Sequence, residues 1–523
     1  MRPATIAFDT DPKLYAASPV PSIREWQQLW TAWDTVTRSM VPRDELMNKP
    51  IQLRNNLIFY LGHIPTFADI HFTKATGECP TNPKQYYQIF ERGIDPDVDD
   101  PTQCHDHSEI PEEWPPLNEI LEYQLHVRNR ITESVSSGRA DSNKRLARGL
   151  VLAFEHEALH LETFLYMLLQ SDRVLPPPGQ PIPDFEALAE ASKLGREENK
   201  WHNIPASKFV VGADDAENYN PPERYFLWDN ERPARAIDVH EFQAKSRPIS
   251  NGEYAKYLEE TRQKNLPASW TTGENPRNGV NVIAHTNGVS TNGTNGVCTG
   301  PSRAFMDGKA VRTVFGPVPL EFVLDWPVMA SYDELLGYAT WSGSGHRIPT
   351  FEELKSIYYH VQKQQAAAQK THSSLVPAVN GHLSNDGVEE SPPHNTSLPK
   401  AGSQAGCNLN PEDLFIHLRD ANVGFRSWHP TPTTAEGSRL RGQGDVGGLW
   451  EWTSSAFAAH AGFEAMSLYP GYSADFFDDK HNVCLGGSWA TVPRIAGRKS
   501  FVNWYQRNYP FVWCTARLVR DVA

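Results

Sequence analysis

The string FEHEALHLETF, residues 154–164, places His156 and His160 four residues apart. A helix repeats every 3.6 residues, so this spacing puts both imidazoles on one face, where they can meet a single metal ion. Glu162 falls about 200° round the helix from His160, a poor position for a third ligand, and is expected to orient a neighbour or enter a salt bridge. The third ligand must then come from elsewhere. His63 in FYLGHIPTF, on another largely apolar stretch, is the candidate. Bland readings stand beside this one: a lone histidine on an apolar helix is often a hydrogen-bonded core residue, and i,i+4 pairs arise by chance on amphipathic helices. Three neutral imidazoles suit zinc, iron or copper, and catalysis requires open coordination positions.

Helices must position these residues. Ile23, Trp26, Leu29, Trp30, Trp33 and Val36 follow helical spacing from Ser22 to about Met40, and Ser22 with Glu25 forms a capping box. A second apolar helix is expected from about Gln52 to Phe72, kinked or interrupted at Pro65. Helical periodicity returns at Leu117–Ser136 and at about Asn143–Gln170; the acidic stretch Asp95–Pro116 between reads as a long loop outside the core. Four such helices suggest an up-and-down bundle, whose interior suits metal ligands from facing helices. From about Ile204 the pattern changes to short β-prone runs rich in glycine and tryptophan, an α+β organisation overall. The expected division is a bundle over residues 1–180, a connector over 181–203 and a mixed domain over 204–523. Polar inserts near 271–300 and 362–411 bury too little apolar surface to order themselves.

The whole chain bounds the function. Its 523 residues exceed one ordinary core, and roughly 150 residues per domain gives two or three units. With 49 Lys plus Arg against 63 Asp plus Glu, the net charge of -14 disfavours nucleic acid and anionic membranes. Neither a secretory signal nor a long apolar run is readable, and the N-x-S/T triplets at Asn292 and Asn395 mean little without secretion. Six scattered cysteines (Cys79, Cys104, Cys298, Cys407, Cys484, Cys514) make no disulfide framework or CxxC pair, so a cytoplasmic location is expected.

The blocks RPISNGEYAKYL (247–258), HRIPTFEEL (346–354), NVGFRSW (422–428), GGLWEWTSS (447–455), LGGSWAT (485–491) and CTARLVRD (514–521) occur in an order that resembles the formylglycine-generating-enzyme-like fold, a C-type-lectin variant. Trp450, Trp452 and Trp489 within them read mainly as core, and a fold alone does not give a function. His63 followed by the H-x-x-x-H-x-E element resembles the DinB-like four-helix bundle. The combination, with the strings YLGHIP, ERGIDPDVDDP, FEHEALH, DWPVMASYDEL and GRKSFVNWYQRNYP, resembles the sulfoxide synthases of ergothioneine synthesis, specifically the fungal type.

That resemblance implies Fe(II) bound by His63, His156 and His160, with positions left for a thiol and dioxygen. It implies an active-site tyrosine at Tyr469, acting as a proton donor, and a betaine-contacting aromatic at Tyr472. It also implies that Asn503 and Trp504 hold the carboxylate and trimethylammonium of histidine betaine (hercynine). Aromatic faces suit such a cation, each good contact being worth about 0.5–2 kcal/mol. The product would be hercynylcysteine sulfoxide.

Some positions depart from the family's bacterial members. Those that use γ-glutamylcysteine carry an acidic and a basic residue where Tyr505 and Tyr509 stand, and a glutamine where Leu159 stands. A different thiol pocket, for free cysteine, is expected. No glycine-rich Rossmann block is present, so the chain reads as a type without the N-terminal methyltransferase, served by a separate methyltransferase and a C–S lyase. Competing readings are a zinc-dependent DinB-type thiol transferase, which leaves Tyr469 and Trp504 unexplained, and a non-catalytic betaine-binding protein. A formylglycine-generating oxidase would need paired cysteines at positions that Cys484 and Cys514 do not match.

Overall fold

The computed structural model describes residues 6–522 apart from 216, 218–224, 273–299, 374–409, 435–436 and 446. Helix α1 (Ile23–Asp34) starts at the expected box: the main-chain N–H of Ser22 donates to the Glu25 carboxylate at 2.8 Å, and that of Glu25 to the Ser22 hydroxyl at 3.3 Å. A π-helical turn, Thr35–Ser39, extends it. Helix α2 (Leu57–Thr76) begins after a turn at residues 51–54, later than the periodicity suggests, and ends at Gly77 in a left-handed conformation. It runs through Pro65 without interruption. A proline inside a helix costs about 3 kcal/mol, but every residue from Leu57 to Phe72 is buried, and that enclosure holds the helix together.

Helices α3 (Leu117–Ser136) and α4 (Lys144–Leu168) match their expected spans, α4 being capped by the Asn143 side chain on the N–H of Leu146 at 3.0 Å. α2 packs on α3 and α4, and α1 packs on the same two. The segment expected to be a connector is more ordered than its polarity suggests. Its residues Phe185–Leu194 form α5, anchored where Ser192 donates to Asp325 at 2.8 Å, and residues 201–203 already belong to a strand.

The remainder is built from small sheets. Strands β1 (Trp201–Ile204), β4 (Phe242–Lys245) and β12 (Val519–Asp521) form one antiparallel sheet in the order β1-β4-β12, and β2 (Ser207–Val211) pairs with β3 (Arg235–Val239). A third sheet contains β5 (Trp270–Thr272), β6 (Lys309–Val311) and β7 (Val318–Pro319). The sheet that matters for the site has the order β10-β9-β8-β11, with β8 (Trp450–Ala456), β9 (His481–Gly486), β10 (Asn503–Gln506) and β11 (Cys514–Thr515). Thr271 and Thr272, assigned to the first insert, belong to β5, while residues 273–299 lie outside the described set. The second insert starts later than expected, because the helix Phe351–Ser373 continues across Gln-Gln-Ala-Ala-Ala-Gln, a run of strong helix formers. Its residues 374–409 are also outside the described set.

One apolar core runs through both halves, joining Trp26, Phe59 and Leu161 of the helices to Trp450, Trp489 and Leu518 of the later chain. The site lies on its margin, where α2 and α4 face β10 and the loop that precedes β9.

Candidate functional site

His63 from α2 and His156 and His160 from α4 converge. Their ring centroids are 4.9, 4.8 and 4.3 Å apart, and one ligand atom from each lies within 4.8 Å of the others. Burial drives the His63 pKa down to about 4 and those of His156 and His160 well below the usual histidine value. Neutral imidazoles with free lone pairs are what a metal ion requires. The Nδ1 atoms of His156 and His160 are buried without a hydrogen-bond partner among the described residues, whereas His63 Nδ1 sits 2.7 Å from the carbonyl oxygen of Phe90, which leaves its Nε2 for the centre of the triad. Two rings hold the imidazoles in place: Phe67 stacks on His156 at 3.6 Å, and Phe59 on His63 at 5.1 Å.

The triad lines a cavity of about 220 Å³ whose opposite wall carries Tyr469, Tyr472, Asn503 and Trp504. The structure therefore brings His63, His156, His160, Tyr469, Tyr472, Asn503 and Trp504 to one cavity. Tyr469 packs edge-on against Phe67 at 5.6 Å, and burial pushes its phenol up to about 12, so the proton stays on Oη at neutral pH. Tyr472 meets the edge of Trp504 at 5.0 Å and stacks on Trp228 at 3.8 Å. Trp504 is backed by Phe457, stacked nearly parallel at 4.2 Å. The side-chain oxygen of Asn503 accepts from the Trp504 N–H at 2.9 Å, and its amide donates to the Tyr505 hydroxyl at 3.4 Å.

Glu162 is no part of the triad. Its carboxylate accepts from Trp450 Nε1 at 2.8 Å, Ser488 Oγ at 2.6 Å and Thr491 Oγ1 at 2.8 Å. Among the described residues it has no salt-bridge partner; instead the histidine-bearing helix is fastened to the second half by neutral donors. Burial raises the Glu162 pKa to about 6 against the pull of those hydrogen bonds.

Sequence reasoning missed several contributors. Arg54 lines the cavity, donating from Nε to the Tyr509 hydroxyl at 3.1 Å and from a terminal nitrogen to Asp95 at 2.7 Å. The acidic loop set aside as peripheral reaches the same place: the Val98 N–H donates to Gln506 Oε1 at 2.8 Å, and the Gln506 amide to the Pro96 carbonyl at 2.9 Å. Nothing local marks these residues, because each is defined by a partner more than 40 positions away. Arg54 falls in no quoted motif; Asp95, Pro96 and Val98 lie in ERGIDPDVDDP and Gln506 in GRKSFVNWYQRNYP, and the likeness of those strings to known sequences carried the only signal. Cys484 and Cys514 also meet, with Sγ atoms 3.5 Å apart. Both are fully buried and their thiols are pushed up by burial. β9 and β11 flank β8 on either side, so sequence separation hid this contact.

Residues 187–358 match the model of the sulfatase-modifying factor enzyme 1-like domain. Ergothioneine biosynthesis protein 1 of Neurospora crassa is 51% identical over 99% of this chain. The chain is a homologue of that protein. The protein of the same name in Schizosaccharomyces pombe is 31% identical over 96% of the chain, and the hercynine oxygenase of Mycobacterium tuberculosis is 29% identical over 60%. This homologue spans 60% and 56% of the two fungal relatives' lengths, and 59% of the mycobacterial one. Among the described residues no helix is long and apolar enough to cross a membrane.

Proposed function

We propose that the chain is an Fe(II)- and O2-dependent sulfoxide synthase that joins cysteine to hercynine and oxygenates the sulfur, giving hercynylcysteine sulfoxide. The reaction balances as ring C–H plus thiol S–H plus O2 giving the C–S(=O)–C product plus water. The observation that carries the reading is the meeting of three neutral imidazoles with Tyr469 and an aromatic wall in one cavity. The names of the fungal and mycobacterial relatives support the same reaction.

Iron held by His63, His156 and His160 would supply the redox chemistry for sulfur oxidation and lower the pKa of the thiol. The protein's own groups do the rest. Trp504 and Tyr472 offer π faces to the trimethylammonium, and Asn503 offers its amide to the carboxylate. Phe59, Phe67 and Phe457 keep water from the walls. Tyr469 holds a proton at Oη and releases it during sulfur oxidation, which makes it the catalytic acid.

In this reading the helical residues 1–180 are a DinB-like bundle, 181–203 join it to the second part, and 204–523 form the formylglycine-generating-enzyme-like domain. The enzyme works in the cytoplasm between a methyltransferase that makes the betaine and a C–S lyase that consumes the sulfoxide. Tyr505 and Tyr509 close the region where a γ-glutamyl group would lie, which favours cysteine. The test is anaerobic loading with Fe(II), then exposure to oxygen with hercynine and either cysteine or γ-glutamylcysteine, products being read by mass. Sulfoxide from hercynine and none from plain histidine is expected; oxygen uptake with no coupled product from either thiol would overturn the proposal.

A further inference from the structure

Behind the aromatic wall lies a group of buried acids that the catalytic reading does not use. Trp228, on which Tyr472 stacks, donates from Nε1 to Glu155 at 2.6 Å. Arg498 lies between two carboxylates, donating to Glu155 at 2.7 Å and to Glu231 at 2.9 Å, and Ser500 adds a hydrogen bond to Glu231 at 2.6 Å. Next to Trp228 in the chain, Asp229 accepts from the hydroxyl of Ser473, the residue after Tyr472, at 2.5 Å and from the Met466 N–H at 3.4 Å. Asp229, Glu155 and Glu231 are all essentially inaccessible to water.

The charges do not cancel. Three carboxylates and one guanidinium, that of Arg498, act on Tyr472, and Arg232 acts on Asp229. Arg232 is committed to Glu217 at 2.8 Å and to the Asp215 carbonyl at 2.7 Å, and Asp215 is itself paired with Arg148. Lys355 is the remaining cation near Glu231, and burial pulls its pKa down to about 7, so at neutral pH it supplies only part of a positive charge. Burial raises the pKa of Asp229 and of Glu231 against the hydrogen bonds from Ser473 and Ser500 and the charges of Arg232 and Arg498, and the negative charge they keep acts over several ångströms, because little solvent screens it. Such a field lies on the far side of the two rings from the cavity. The π face alone would also accept a neutral alkyl group; a negative field behind it favours a cation.

We infer that Asp229, together with the Glu155–Arg498–Glu231 cluster, is a specificity-determining element that selects a quaternary ammonium over a neutral group of the same shape through Tyr472 and Trp228. The inference rests on the proposed function in taking the substrate cation to sit at this wall.

The test is the affinity of the iron-loaded protein, kept anaerobic and without thiol, for hercynine and for its neutral isostere, in which a tert-butyl group replaces trimethylammonium. Wild type should prefer hercynine. Asp229→Asn keeps an oxygen for Ser473 and removes the charge; it should weaken hercynine binding about 3- to 30-fold while leaving the isostere unchanged. Ser473→Ala keeps the charge and loosens the Tyr472 segment, so any loss it causes should fall on both ligands alike. Glu231→Gln, checked for folding by its melting profile, provides the same differential reading should Asp229→Asn unfold. An unchanged hercynine-to-isostere ratio in both charge variants overturns the inference while the site reading survives. Absence of hercynine binding to wild type overturns both.

Discussion

His63 Nδ1 and the carbonyl oxygen of Phe90 are 2.7 Å apart, so a residue of the second helix is aimed by the main chain of a short turn that follows it. The Phe90 ring in turn lies against Gly62: a Cβ added there would come within 2.4 Å of the ring. Gly62 is therefore needed for close approach, next to a residue of the triad. Gly62→Ala should push Phe90 away, release His63 and reduce metal affinity by roughly 10–100-fold, the usual cost of losing an orienting partner. Metal titration followed spectroscopically checks this, and unchanged affinity would show that the carbonyl does not orient the ring.

Removing a ligand should cost more. His160→Ala should leave the purified protein without stoichiometric iron and without turnover, the fold persisting because the alanine only truncates a cavity-lining ring. Metal analysis beside circular dichroism separates loss of iron from loss of structure.

Tyr469→Phe removes the Oη proton and little else. Iron and hercynine binding should persist while the sulfoxide yield falls by about 10²–10⁴, the range for a general acid. Thiol oxidised alone should appear as the sulfinic acid. Product analysis by mass decides; full sulfoxide yield would remove Tyr469 from the proton pathway.

Much of this site was legible in the sequence because its key residues are local in pattern. His156 and His160 share a helical face by spacing, and the Ser22–Glu25 box fixes where α1 begins. Residues defined by distant partners were not legible. Arg54 meets Tyr509 across 455 positions, and Cys514 meets Cys484 across an intervening strand. Pro65 misled for a physical reason: the rule concerns helices that must stabilise themselves, and α2 is held by burial on every side. Glu162 was rightly set outside the metal shell by the helical period, but its three donors come from beyond residue 449, out of reach of any local argument.

Lys355 gives a stability prediction with a definite sign. Burial lowers its pKa from the ordinary 10.5 to about 7, so between those values the unfolded chain binds more protons than the folded one. Stability should rise as the pH climbs from about 7 towards 10, this residue's penalty being greatest below 7. Lys355→Met should flatten that rise and gain most at low pH, although the Nζ hydrogen bond to the Lys499 carbonyl at 2.7 Å is lost. Urea unfolding from pH 6 to 9 measures the slope in both proteins.

Glu162→Ala should destabilise through its abandoned partners. Trp450 would keep a buried donor with no acceptor, and since the Ser488 and Thr491 hydroxyls lie 3.2 Å apart only one of them could donate to the other, so two buried donors would be orphaned at about 1–3 kcal/mol apiece. A drop in melting temperature with a normal metal content in the surviving folded fraction is expected; loss of iron at full stability would point instead to a direct role at the metal.

The acids of α4 also limit how this chain can be rearranged. Glu155 and Glu162 lie on either side of the histidine pair, and their hydrogen-bond donors all belong to residues from Trp228 onward. The helices expressed alone would carry two orphaned anions in an apolar face, and a transplant onto a foreign scaffold would inherit them. Recombination between relatives should then be tolerated only when α4 travels with its own Trp450, Ser488 and Arg498, which makes the two halves a single unit of inheritance.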